Sequence, residues 1–128
     1  MLLTFFSLLA PAIAQVQIDD LHISRDGEVV NIRVSLRNPG PQSQSGPLRV
    51  ELLARPLGAS DWQPIWVWSD LKGLPVGYRL SRDFFSEDGD TVSNLAQGEF
   101  EVRAILSGPR ELQQTMDKVA EHDPDHAH

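Results

Sequence analysis

The chain contains no cysteine. That absence excludes disulfide staples, thiolate zinc sites, haem attachment through C-x-x-C-H, cysteine nucleophiles and lipid anchoring at a processed N-terminal cysteine. Beyond the first residues no apolar stretch reaches the roughly 20 residues that a membrane-spanning helix needs. Positive charge is also scarce in one half. Residues 83–128 hold eleven acidic and three basic side chains, whereas residues 15–82 hold seven acidic and eight basic ones. A net charge of −7 over 128 residues leaves no basic footprint for nucleic acid, and the acidic end reads as a solvated face and tail. Among residues 15–120 there is one histidine, His22.

What is present begins with a short apolar run. Leu2, Leu3, Phe5, Phe6, Leu8 and Leu9 are followed by Pro11 and by Ala12-Ile13-Ala14, a small-x-small cleavage pattern. Residues 1–14 are therefore expected to be a cleavable secretory signal peptide, with the mature chain starting at Gln15 and working in the periplasm or outside the cell. The positive charge that usually precedes such a run would come from the free amino terminus or from residues upstream. Residues 15–119 suffice for one domain with its own core. Residues 120–128 are expected to be a disordered acidic, His-bearing tail.

Within the body, apolar and polar residues alternate. Val30, Ile32, Val34 and Leu36 interleave with Asn31, Arg33, Ser35 and Arg37, as in a strand with one face buried. Leu48, Val50 and Leu52 repeat the pattern, as do Phe100, Val102 and Ala104. Val34, Val50, Leu52, Phe100 and Val102 are predicted core, and Arg33 and Arg103 predicted surface. Val16 and Ile18 change phase to Leu21 and Ile23 across Asp19-Asp20, which places a β-bulge at that pair.

Turn signals punctuate these runs: Asp26-Gly27, Asn38-Pro39-Gly40-Pro41 continuing to Gly46-Pro47, Pro56–Ser60, Lys72–Gly77 and Asp88-Gly89-Asp90. They delimit strands near 16–24, 28–37, 48–55, 62–69, 78–85 and 99–107. No segment before residue 110 reads as a helix. The segment 111–119 is ambiguous: Leu112, Thr115, Met116 and Val119 are spaced for a helix, while a sandwich would require a seventh strand there. Short strands at this spacing predict an all-β, immunoglobulin-like antiparallel β-sandwich of about seven strands.

Two stretches carry a family resemblance. Val29–Gly40 is a strand ending in Asn-x-Gly, followed by a small polar loop and Gly46–Leu52. Leu95–Ala104 looks like the turn and strand near the end of such a domain. Together they resemble the bacterial cell-adhesion-related domain often called CARDB, an immunoglobulin-like sandwich. The resemblance implies that fold and an adhesive or scaffolding role, and carries over no catalytic residue. The backbone reason offered for the first motif is that Asn38 and Gly40 both tolerate left-handed conformations. Residues 111–121 lack the family's acidic, Asn-rich closing strand.

Candidate sites are few. Trp62, Trp66 and Trp68 share one strand parity, and Ile65 and Val67 share the other. One face of that strand meets the core. Either the tryptophans are core, or Ile65 and Val67 are, leaving Trp66 and Trp68 as an aromatic docking patch. Asp83, Glu87, Asp88 and Asp90 around Gly89 lack the spacing of a calcium loop and read as an acidic turn. His122, His126 and His128, with Asp123 and Asp125, could ligate zinc, copper or nickel. His22 alone supports no Ser-His-Asp chemistry, and no nucleophile elbow is present. The expectation is an exported, non-enzymatic module without a cofactor, binding another envelope or extracellular protein. The alternative is a periplasmic metal-binding protein using the tail; an exported hydrolase has the least support.

Overall fold

The computed structural model describes residues 15–87 and 89–120. The expected signal peptide (1–14), Asp88, and tail residues 121–128 with His122, His126 and His128 lie outside the described residues.

Among the described residues seven strands and one short helix follow in the order β1 (Gln17–Asp26), β2 (Val29–Arg37), β3 (Gln44–Pro56), β4 (Gln63–Leu74), β5 (Arg79–Phe85), α1 (Thr91–Leu95), β6 (Phe100–Gly108) and β7 (Leu112–Ala120). They form two antiparallel sheets, β1-β2-β5 and β4-β3-β6-β7. This is the expected immunoglobulin-like sandwich. The fourth strand lies beside the third instead of joining the sheet of β1, β2 and β5, as it would in a constant-type domain.

Period-two patterning is what builds the core. Val30, Ile32, Val34 and Leu36 of β2 face Val50, Leu52, Phe100, Val102 and Leu106 of the other sheet, and all are at most 1% exposed. Arg33 and Arg103 point outward. Arg33 pairs with Asp83 on β5, Arg103 with Asp117 on β7, and Arg55 with Glu101 on β6, in each case with the residue directly opposite in the ladder. The bulge falls where the phase change put it, between Ile18 and Asp20, and Leu21 returns to the core.

Several expectations are corrected. The segment 111–119, open between helix and strand in the sequence, is a strand from Leu112 onward, because ladder bonds to β6 and burial of Leu112 outweigh a helical spacing; Glu111 lies in the turn before it. Ala120, placed in the tail by sequence, is the last residue of that strand and is buried. Strand β3 starts at Gln44 and β4 runs on to Leu74, so much of the expected loop and turn is ladder. The two strands come together there at glycines. A Cβ on Gly46 would overlap the backbone carbonyl of Lys72, and Gly73, at φ +147°, passes close to Gln44. A helix does exist before residue 110. Asp90 caps it, accepting from the Ser93 amide at 2.7 Å, and Val92 plugs one end of the sandwich. Five residues give too few turns for a periodic signature.

Asn38 works differently from the sequence argument. Its backbone is not left-handed; Gly40 supplies the positive φ, at +88°. The Asn38 side chain is buried and satisfied from both ends. Its amide donates to the carbonyls of Gln42 (2.9 Å) and Leu74 (2.8 Å), and its oxygen accepts from the Gly40 amide (2.8 Å). Main-chain bonds from Asn38 to Tyr78 and from Gly77 back to Asn38 complete a clasp between the β2–β3 and β4–β5 connections.

Candidate functional site

The two long sides of the sandwich differ. On one, β1 and β7 approach closely, and Gln114 of β7 accepts from the Ile18 amide at 3.2 Å, closing the seam. On the other, β4 and β5 are the free edges of their sheets among the described residues, and no ladder joins them there. This side carries the aromatic residues that the sequence singled out, but not all three.

The structure separates the tryptophans. Strand β4 pairs Leu52 with Trp66 and Leu53 with Pro64, so Ile65 is an extra residue opposite a single step of β3. A bulge of this kind shifts every side chain beyond it to the opposite face. Trp66 and Trp68 stay on the inner side, and Trp62 is carried to the outer one. There its ring lies 4.2 Å from the Arg55 guanidinium carbon and 4.4 Å from that of Arg103. Both guanidiniums are tied to carboxylates, so Trp62 is a latch pinning the β3–β4 connection on the sheet. The shared parity of the three tryptophans did not survive one inserted residue.

Trp68 is core, at 4% exposure, while Val67 on the opposite face is 40% exposed. Of the two readings left open by the sequence, core tryptophan holds for Trp68. Trp66 is half-buried and stacks on Trp68 at 5.0 Å and on Phe84 of β5 at 5.5 Å, spanning the gap between the sheets. Ile65, though bulged, also packs against the core, so the strand has no clean division into an aromatic and an aliphatic face.

Sequence reasoning missed what β5 adds. Its inward-parity residues are Leu80, Arg82 and Phe84, opposite Leu36, Val34 and Ile32 of β2. Arg82 is exposed all the same, with its guanidinium 5.6 Å from the Trp68 ring centre. It takes part in none of the ion pairs among the described residues. The Trp68 indole N–H has no acceptor among them either. Tyr78 and Phe85, at the two ends of β5, are 61% and 59% exposed. The available signal was an arginine at an apolar-parity position, in a strand whose alternation is otherwise weak.

The remaining candidates are accounted for locally. Asp83 is held by Arg33 in two hydrogen bonds, which keep its carboxyl below the usual range despite some desolvation. Asp90 is spent on the α1 cap and on the Glu87 amide. His22 is exposed on the outer face of the three-stranded sheet, opposite Arg33. Among the described residues no three His, Cys, Asp or Glu side chains converge as metal ligands. At one end of the sandwich Arg25 donates to the Ala96 carbonyl at 2.6 Å beside a cleft of about 290 Å³ that also includes Glu28 and Ser93.

No family model matches the chain, and no curated protein does. Solved structures share its fold. An oxidised superoxide reductase is 14% identical with a TM-score of 0.56, over 84% of this chain and 90% of that one. OgpA from Akkermansia muciniphila is 16% identical with a TM-score of 0.50, over 88% of this chain and 28% of that one. A GH3 β-glucosidase from Bifidobacterium adolescentis is 14% identical with a TM-score of 0.50, over 84% of this chain and 17% of that one. The chain thus spans most of the reductase but only a minor part of the two larger proteins. At such identities the likeness establishes the immunoglobulin-like sandwich and nothing of activity.

Proposed function

We propose that this chain is an exported, non-enzymatic β-sandwich module that acts by protein–protein contact, as an adhesive or accessory subunit of the cell envelope or extracellular space. The observation that carries the reading is the β4–β5 side. Two free sheet edges flank a half-buried Trp66–Phe84 contact, with exposed aromatic rings at either end of β5. Aromatic side chains left partly open beside unpaired strand edges are the usual raw material of a protein interface. The resemblance to the cell-adhesion-related domain points the same way. The test is capture from the envelope fraction of the source cell by purified protein. A Tyr78→Ser/Phe85→Ser double variant that folds normally should lose the captured partner. Retention at wild-type level would remove this side as the contact surface.

The alternative, metal handling by the tail, is favoured by three imidazoles and two carboxylates within His122–His128. Titration with zinc or copper, comparing the full chain with one ending at Ala120, separates the two. Micromolar binding confined to the full chain would support the alternative.

A further inference from the structure

Resting on that reading, we propose that the β5 edge is the docking strand and that its occupant is an extended polypeptide segment bearing a carboxylate opposite Arg82, with apolar residues two positions to either side.

The backbone makes the first part of the case. Strands at sheet edges are ordinarily blunted by bulges, proline or charge. Strand β4 has Pro64 and breaks in register on both sides of the Trp66–Trp68 segment, and β1 has the bulge at Asp19-Asp20. Strand β5 has neither bulge nor proline, and of its three charges Arg79 and Asp83 are paired within the domain, which leaves Arg82 as the one charge guarding the edge. Its register against β2 is unbroken from Arg79 to Phe85, and its far side has no ladder partner among the described residues. A regular edge with free amides and carbonyls on one side is what strand addition requires.

Charge selects the occupant. Arg82 is the central residue of the seven and points toward the inner side, a position that Leu80 and Phe84 use for packing. A second copy adding to this edge about a two-fold axis through the middle of β5, the register that pairs its whole length, would set Arg82 against Arg82, so self-pairing in that register is disfavoured. A segment with a carboxylate at that position instead neutralises the one guanidinium of the strand that has no ion pair among the described residues; Arg79 is already bound to Asp19 at 2.8 Å. The Arg82 guanidinium lies 5.6 Å from the centre of the Trp68 ring, so a carboxylate paired with it would sit beside a buried aromatic surface. Residues two places away in the incoming strand face Leu80 and Phe84 and extend the Trp66–Phe84 contact, which calls for apolar side chains.

The experiment uses three capped nine-residue peptides of alternating serine and valine that differ only in a central Glu, Gln or Lys. Binding to the full chain is read by tryptophan fluorescence and by amide chemical shifts. The Glu peptide is expected to bind at least tenfold more tightly than the Lys peptide, with shifts concentrated on β5 and on Trp66 and Trp68. Arg82→Gln should erase the preference, and Arg82→Glu should reverse it. Equal binding of the three peptides, absence of binding, or shifts centred on the β1–β7 side would overturn the assignment. The two readings fail separately. An envelope partner still captured by Arg82→Glu would overturn this docking strand and leave the module reading standing. Charge-selective peptide binding without any envelope partner would support the strand and count against the module's proposed role.

Discussion

Asn38 offers the sharpest test of how the loops at one end of the sandwich are held. Its side chain makes three hydrogen bonds in a buried position, two given to carbonyls and one taken from an amide. Each is worth about 0.5–1.5 kcal/mol net, and truncation strands the Leu74 carbonyl and the Gly40 amide away from water. Asn38→Ala should therefore cost about 3 kcal/mol, a large share of the roughly 5–15 kcal/mol that holds a domain together. With an m-value of about 1.5 kcal/mol/M, the urea midpoint should fall by about 2 M. Asn38→Gly separates this account from the one suggested by the Asn-x-Gly motif. If the residue were chosen for left-handed backbone, glycine would be neutral or better. If the amide is what matters, glycine should be at least as damaging as alanine, since it also adds disorder to the unfolded chain. Asn38→Asp places an oxygen against two carbonyl oxygens. It should be the worst of the three at neutral pH and should regain stability as the pH drops and the carboxyl protonates. A Gly variant within about 0.5 kcal/mol of wild type would refute the clasp.

Trp68→Ala should cost about 3–5 kcal/mol by chemical denaturation, as for a large core side chain, whereas Trp62→Ala should cost less than half as much, because it loses only a latch over two arginines. Equal losses would contradict the division made by the Ile65 bulge. Asp83 and Asp117 are held below the ordinary carboxylate value of 3.8, chiefly by hydrogen bonds from Arg33 and Arg103. Their contribution is fully present above that value and is lost as the pH falls from it through the lowered folded values. Both pairs are largely exposed, so the loss should be shallow and weaken further in salt; a Asp83→Asn/Asp117→Asn double variant should flatten it in urea midpoints measured across the acid range. Arg110 and Glu111 adopt φ of +61° and +60° in the β6–β7 turn, so Glu111→Gly relieves about 1–2 kcal/mol of left-handed strain against about 0.5–1 kcal/mol of added unfolded-chain entropy, and should raise the midpoint of thermal melts slightly. A destabilised variant there would mean that the Glu111 side chain has a role beyond the turn.

Composition and alternation were enough to determine the class of fold, the register of β2, β3 and β6, and the bulge at Asp19-Asp20. Those features depend on which face of a strand meets water, and a two-residue period records that directly in the sequence. The helical spacing in 111–119 lost to pairing with β6, which is a property of the sheet and not of the segment. The tryptophans show the limit most clearly. Their common parity is a statement about an unbroken strand, and a single extra residue at Ile65 sent Trp62 to one face and left Trp66 and Trp68 on the other. Which strands would be edges was equally hidden, because edge position is fixed by the order of strands in the two sheets. Only that order left β4 and β5 facing each other unpaired, and gave Arg82, an unremarkable charge in the sequence, the central place on an open edge.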